Sequence, residues 1–526
     1  MRFCFTPKAY ESGMALNTSI SQNQLHQHHT GLLKVVQTQL ASNPGSIDLL
    51  LQRALLFSNL GQLTDASNDY IKILQCNPHH LVALNNLGCV LIATGHRAAA
   101  GIAFHEAVLR HPGDVMSRVN LGYFLLEEVE KVTVTGQTQR ARELQCEARD
   151  HFQQVLRLKP DNEKAHEGLS HLLEDLGEPE KADFHRRAAF QKRWIFPLPY
   201  RGEAAPISVL HLVSTTGGNV RLQRFLDNRI FKTFVLCPEF YDPQTELPAH
   251  QLVVNGIGDA ELSSRALAAA RSLLASTQAP VVNPPAAVMA TDRATNARRL
   301  SEIPGVVTPI TVILSREQLC DPHVASRLAA LGLAFPLLVR APGFHTGLHF
   351  LRVESFDALA PAIAEIPGDE IIVMQYLDTR ARDGKSRKYR VMMIGGRLYP
   401  LHCAISSHWK IHYFTAEMAE SSEHRAEDAA FLENMPRVLG PLAMNALHKI
   451  HSTLALDYGG IDFGLNAQGE ILVFEANATM VVNPPEPDER WNYRLPAYTK
   501  IHSAIQNMLI ERAGVVPAPQ SAPPAH

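Results

Sequence analysis

The stretch from Gly459 to Met480, GGIDFGLNAQGEILVFEANATM, decides how the C-terminal half of the chain is read. Its arms IDFGLNA and EILVFEAN are mostly apolar, and Gln468-Gly469 between them is a turn signal, so the pattern predicts a β-hairpin. A two-residue turn pairs Ala467 with Glu470 and sets Asp462 directly opposite Glu475, with Asn477 on the same face. A three-residue Ala467-Gln468-Gly469 loop instead shifts the register by one and sends Asp462 to the other face. The hairpin residues alone leave the two registers equal. In the first, two facing carboxylates repel and are costly to bury, which a divalent cation between them compensates. Oxygen ligands without histidine or thiolate favour a hard ion such as magnesium, with manganese as an alternative, held together with substrate phosphates.

The 526 residues predict three to four domains. A net charge of -3 gives no global field toward nucleic acid or anionic lipid, so neither is expected as a partner. The seven cysteines are scattered without a CxxC pair, which argues against a disulfide framework or zinc ribbon and suits a reducing compartment. With no apolar run of membrane-spanning length and no signal-type h-region, the expectation is a soluble, cytoplasmic protein with no membrane partner.

The N-terminal third is repetitive. Pro44, Pro78, Pro112 and Pro160 are spaced by 34, 34 and 48 residues, the last interval being one period plus a 14-residue insertion. Ala66, Ala100, Ala148 and Ala182 keep the same phase, Tyr70, Phe104 and Phe152 follow four residues after the first three, and Leu87-Gly88 recurs as Leu121-Gly122. This pattern resembles the tetratricopeptide repeat: the small residue lets two helices approach, the aromatic fills the next groove and proline ends the second helix. It covers residues 29–195, with the first unit present mainly as its second helix, the insert EKVTVTGQTQRAR in the third, and Arg186 where an aromatic is expected in the last. The resemblance implies a surface that docks a peptide or protein. Residues 1–28, with His26 to His29, read as a mobile, solvated segment.

PLPYRGEAAP marks a linker at residues 196–205. From 206 to 285 strand and helix patterns alternate: ISVLHLVS as a buried strand, the glycine turn TTGGN, VRLQRFLD as a helix, FKTFVLC as a strand, then ELSSRALAAARSLLAS as a helix and APVVNPP as a strand. That order predicts a small open parallel sheet, with TTGGN an ordinary turn rather than a phosphate cradle.

Asp462, Glu475 and Asn477, spaced 13 and 2, with a glycine before the second strand, resemble the metal-binding signature of the ATP-grasp ligases, the superfamily of D-alanine-D-alanine ligase, glutathione synthetase and the glutamate ligases that modify a ribosomal protein's tail. TDRATNARRLSEIPGVVTPITV resembles the segment entering that fold, with Arg293 as the basic residue reaching ATP. FPLLVRAPGFHTGLHF resembles the strand and glycine-rich loop that cover the phosphates, with Arg340, Gly343 and Gly347. EIIVMQYLDT resembles the strand whose backbone binds adenine, here Gln375, Tyr376 and Leu377, and KYRVMMIGGRLYP resembles a strand pair carrying an arginine, here Arg390. The resemblance spans about residues 205 to 510 and lies in the order of these motifs. It implies a fold class of an all-α tetratricopeptide solenoid, an α/β pre-ATP-grasp domain and an α+β ATP-grasp domain at 286–512, followed by a proline-rich disordered tail at 513–526.

The same resemblance implies ATP- and magnesium-dependent joining of a carboxylate to an amine through an acyl-phosphate. Asp462, Glu475 and Asn477 would hold the metal, Arg293 and Arg340 would meet the triphosphate, Asp383 would bind ribose, and Arg390 and Lys410 would act at the reacting centre. His402, His408 and His412 read as core or surface histidines, and His448 and His451 as helix surface. Two departures stand out. Several relatives carry an arginine two residues before the first metal aspartate, where this chain has Gly460, and ATMVVNPPEPDERW replaces the usual glycine-containing turn after Asn477. Gly460 keeps open a nucleotide sensor with reduced catalysis, and the fold also serves kinases.

Overall fold

The computed structural model describes residues 22–134, 137–342, 349–411 and 416–514. Two compact units divide it, one holding the chain up to Pro206 with Asn228–Ile230, the other Ile207–Asp227 and Phe231 onward.

The first unit is built on an α-helical solenoid. Helix Gln22–Ser42 precedes four helical hairpins, Ile47–Asn59 with Leu63–Cys76, Leu81–Ala93 with Arg97–Arg110, Val115–Val134 with Thr138–Leu158, and Glu163–Asp175 with Pro179–Phe190. The first helix begins at Gln22, so His26 to His29 belong to a helix. The phase-keeping alanines Ala66, Ala100, Ala148 and Ala182 are fully buried, as are Tyr70, Phe104 and Phe152. The glycines belong to the same packing: a Cβ on Gly88 would lie 2.5 Å from the Phe104 ring, and one on Gly168 2.3 Å from the Phe152 ring. The insertion lengthens both helices of its hairpin to 20 and 21 residues, against 13 and 14 in the hairpin before it. Arg186, in place of an aromatic, is buried and paired through its Nη atoms with Glu174 at 2.5 Å and Asp183 at 3.2 Å, as a buried guanidinium needs.

The second unit opens with four parallel strands in the order Phe231–Leu236, Ile207–Leu212, Leu252–Asn255, Val281–Val282. The helix expected over VRLQRFLD is only a 3-10 turn, Leu222–Phe225. The residues before it are drawn out of helical geometry by pairing, with Asn219 bridging Ile257 and the Val220 N–H donating to the Gly256 carbonyl. Two further sheets follow. One is antiparallel, Thr311–Ser315, Glu370–Gln375, Leu337–Arg340, Phe350–Val353, and packs its apolar face on Leu319, Leu328, Leu359 and Ile363. The other runs Arg397–Ser406, Ser386–Ile394, Tyr458–Leu465, Ile471–Asn477, Val306–Val307. Helix Met435–Leu454 ends at Ala455 in the left-handed conformation and leads into Tyr458.

The turn of the decisive hairpin is not the two-residue Gln468-Gly469 turn. Asn466 and Glu470 close a three-residue loop: the Asn466 N–H donates to the Glu470 carbonyl, and the Asn466 side chain accepts from the Gln468 and Glu470 N–H groups. An asparagine that can bond its own backbone and Gly469 at φ +79° stabilise this longer loop. Asp462 nevertheless pairs with Glu475, because the register changes between Asp462 and Phe463. Phe463 pairs with Val473, so Phe474 is an extra residue, a β-bulge that restores the register the loop had displaced.

Candidate active site

The antiparallel sheet and the sheet that carries the hairpin, hereafter the first and second, bound a cavity of ≈ 790 Å³. Leu338, Arg340, Phe350, Met374 and Gln375 line it from the first sheet, and Lys388, Arg390, His402, Asp462, Glu475 and Asn477 from the second. Backbone register makes a continuous row across the second sheet. His402 pairs with Arg390, Arg390 with Asp462 and Asp462 with Glu475, so four polar side chains from four adjacent strands share one face.

The centre of the row is an ion cluster. Arg390 Nε and Nη2 donate to Asp462 Oδ1 and Oδ2 at 2.5 and 2.7 Å, and Lys388 Nζ lies 3.1 Å from Oδ2. Asp462 is 3% exposed. Burial alone would raise its pKa, but Arg390 and Lys388 outweigh it and hold the carboxyl far below the usual range. Burial likewise works to lower the Arg390 pKa and is overcome by Asp462, which raises it. His402 stays neutral, pushed well below the ordinary histidine range by burial and then by Arg390.

Glu475 is more open. Its Oε1 accepts from Asn477 Nδ2 at 3.0 Å and lies 4.0 Å from Arg293 Nη2. Asn477 Oδ1 accepts from the Thr479 N–H and hydroxyl at 2.9 and 2.8 Å. Arg293 starts the helix Arg293–Ser301, capped by Asp292, and pairs with Glu261. Asn296 on that helix donates to the Ala476 carbonyl at 2.6 Å, tying the helix to strand Ile471–Asn477. Arg340 sits 5.7 Å from the Phe350 ring, its pKa lowered by burial and by Arg293.

These oxygens fit a hard divalent ion in kind: two carboxylates and an amide on one face. Glu475 and Asn477 would hold it, with Asp462 completing the set through what its carboxylate has left, since three of its roughly four lone-pair directions face N–H donors of Arg390 and Lys388. Among the described residues there is no group of three or more His, Cys, Asp and Glu able to hold a metal.

The structure thus brings together Arg293, Arg340, Gln375, Tyr376, Leu377, Arg390, Lys410, Asp462, Glu475 and Asn477 around one cavity. The Gln375 N–H already donates to the Ile310 carbonyl at 2.9 Å, so that donor is taken. Burial lowers the Lys410 pKa. Asp383 is elsewhere, in the Asp-Gly-Lys turn, where Arg387 holds its pKa down to about 2. Gly343, Gly347 and His412 lie outside the described residues. His451 is half-buried rather than on an open helix surface.

Sequence reasoning missed Lys388, Trp491 and Arg494. Lys388 was findable, being two residues from Arg390 on a strand and therefore on its face. Trp491 and Arg494 reach the cavity through a tertiary tie: buried Asp428 accepts from the Cys403 N–H at 2.7 Å and the Tyr493 hydroxyl at 2.6 Å, fixing the turn Glu489–Arg494 to the sheet. Gly460 sits where a Cβ would lie 2.9 Å from Met480 Cγ and 3.0 Å from the Val391 carbonyl, so no larger residue fits there without a shift of its neighbours.

No family model and no curated protein matches the chain. Solved structures with an outline likeness include MamA 41-end from Desulfovibrio magneticus RS-1, 18% identical, covering 32% of this chain and 92% of that one at a TM-score of 0.26. Others are D-alanyl-alanine synthetase A from Vibrio cholerae, 14% identical over 59% of this chain and 98% of that one at 0.39, and the D-alanine-D-alanine ligase from Coxiella burnetii, 13% identical over 59% and 96% at 0.37. At such scores these likenesses carry no weight for function. Among the described residues, no helix is long and apolar enough to cross a membrane.

Proposed function

We propose that this protein is an ATP- and magnesium-dependent ligase that joins a carboxylate to an amine through an acyl-phosphate, its helical repeats docking a peptide or protein. One observation carries the reading: the row His402, Arg390, Asp462, Glu475, with Asn477 on the same face, forms one wall of a cavity whose opposite sheet supplies Arg340 and the Gln375–Leu377 edge. A cavity bounded by cations on one side and oxygen ligands on the other suits a polyphosphate.

In this reading the bound metal neutralises phosphate charge. Arg293 and Arg340 bind and orient the triphosphate from the other side of the cavity. Arg390, fixed by its bidentate bond to Asp462, presents its remaining N–H donors to the charge that develops when a substrate carboxylate attacks the γ-phosphate. Lys410, whose lowered pKa reflects partial burial, meets the reacting phosphate from the loop after strand Arg397–Ser406. The amine then displaces phosphate and forms the amide; no side chain acts as nucleophile.

A second reading, a nucleotide sensor, draws on Gly460, which brings no cation to the position two residues before Asp462 and packs closely on Met480. Calorimetry of ATP binding with and without magnesium, for wild type and Glu475→Ala, separates the two when ADP and phosphate are followed over amino-acid and peptide pools. Magnesium-dependent binding lost in Glu475→Ala, with ADP released, is expected of the ligase. Tight binding without turnover would favour the sensor, and absence of ATP binding would sink both.

A further inference from the structure

The helical unit holds a recess of its own. A groove of ≈ 530 Å³ lies between helices Thr138–Leu158 and Pro179–Phe190, the second helices of the third and fourth hairpins. Leu156, with Leu169 and Leu173 of helix Glu163–Asp175, gives it an apolar floor, and Arg149, Arg157 and Lys181 stand along its rim. The charge around this floor is one-sided. Glu178 is the single carboxylate among the lining residues, and it pairs with Lys181. The nearby Glu174 and Asp183 do not line the groove and are engaged by Arg186 and Arg187. His185, its pKa lowered to about 4, is uncharged at neutral pH. Among the described residues neither Arg149 nor Arg157 is paired with a carboxylate; Arg149 donates to the Cys146 sulfur at 3.9 Å. Water solvates exposed arginines wherever they stand, but two unpaired ones bordering one apolar floor make a surface that an acidic, partly apolar segment complements.

The spacing narrows the ligand further. Arg149 and Arg157 are eight residues apart on one helix, roughly 12 Å along its axis, with Leu156 beside the second. In an extended chain alternate side chains share a face, and residues i and i+4 span roughly 13 Å with i+2 between them. We propose that this groove docks an extended acidic segment of a partner protein, with carboxylates at i and i+4 against Arg149 and Arg157 and a bulky apolar side chain at i+2 on Leu156, Leu169 and Leu173. The proposal deepens the docking part of the function proposed above and rests on it, by giving the chemistry of the docked segment and the face of the repeats that takes it.

The test is fluorescence anisotropy on the full chain at low salt with three labelled peptides, one with the core Asp-Ser-Leu-Ser-Asp, one with both aspartates changed to asparagine, and one with the leucine changed to serine. Wild type is expected to bind the first at least about fivefold more tightly than either of the others. The double variant Arg149→Gln, Arg157→Gln should bind the acidic and amide peptides alike, and Arg149→Glu with Arg157→Glu should favour the amide form. Equal affinities for acid and amide in wild type, no measurable binding of the acidic peptide, or a preference surviving in the double glutamine variant would overturn the proposal. So would undiminished binding of the peptide without leucine, or displacement of the acidic peptide by a lower concentration of polyuridine, which would assign the arginines to phosphates. A random peptide array probed with wild type and the double glutamine variant keeps the two readings apart. Peptides held equally by both proteins, without acidic enrichment, would sink this groove and leave repeat docking standing; an array that holds nothing would sink both.

Discussion

Asp462 faces Glu475 across the hairpin although the three-residue loop joining their strands is the length that would separate them. The bulge at Phe474 cancels the loop's one-residue shift, and both carboxylates reach the cavity. A compensated register of this kind makes the two features interdependent. With either one alone, Asp462 and Glu475 would point to opposite faces of the sheet.

Arg390 and Asp462 should behave as one unit. Arg390→Met leaves a buried carboxylate that keeps Lys388 as a close cation, and a loss of about 3 kcal/mol in unfolding free energy is expected. Combining it with Asp462→Asn should cost clearly less than the two single losses added together. Urea denaturation of the four proteins in the cycle measures the coupling, and simple additivity would mean that the ion pair is not formed.

Gly460 is held small by its neighbours. Gly460→Ala drives a Cβ into Met480 and the Val391 carbonyl, and a destabilisation of about 1–3 kcal/mol is expected. Adding Met480→Ala should restore part of it, because the carbonyl contact remains. Thermal melting of the single and double variants checks the order.

In the repeats, Gly168 and Phe152 make a complementary pair. Gly168→Ala should cost about 1–3 kcal/mol by overpacking against the ring, and Phe152→Ala about 3–5 kcal/mol by opening a cavity. The double variant should be less stable than wild type by less than the sum. Helical circular dichroism during denaturation reads all three.

His185 should make the helical unit sensitive to acid. Its Nδ1 lies 2.7 Å from His166 Nδ1, and burial followed by His166 lowers its pKa to about 4. The folded pKa is below the ordinary value of about 6.5, so the unfolded chain binds the proton more readily between these values. Stability is therefore complete above about pH 6.5 and falls as pH drops toward 4, with a slope below the roughly 1.4 kcal/mol per pH unit of a fully buried group, because His185 is only partly buried. His185→Gln should flatten the profile of unfolding free energy between pH 7.5 and pH 4.5; an unchanged slope would locate the sensitivity elsewhere.

The repeat phase was legible because a solenoid's contacts are local: proline, alanine and aromatic recur at the spacing of one helical hairpin, and each packs on its neighbour. The parallel strands after residue 206 were legible as apolar runs between turns. The helix over VRLQRFLD was misread because propensity could not reveal the pairing of Asn219 and Val220 with distant strand residues. The row of site residues was half legible, since alternation put Asp462, Glu475 and Asn477 on one face only if a turn length was assumed.

By itself, then, the sequence determined the element types, the repeat, and the oxygen-rich character of the hairpin, because these depend on side-chain chemistry and on spacing within a few residues. Tertiary structure alone decided which side chains meet. The Phe474 bulge, the placing of Lys388 and Arg390 on Asp462, and the anchoring of Arg494 by the turn that Asp428 holds all join residues far apart in the chain. Such contacts are selected by the free energy of burying charge and apolar surface together, which no local pattern records.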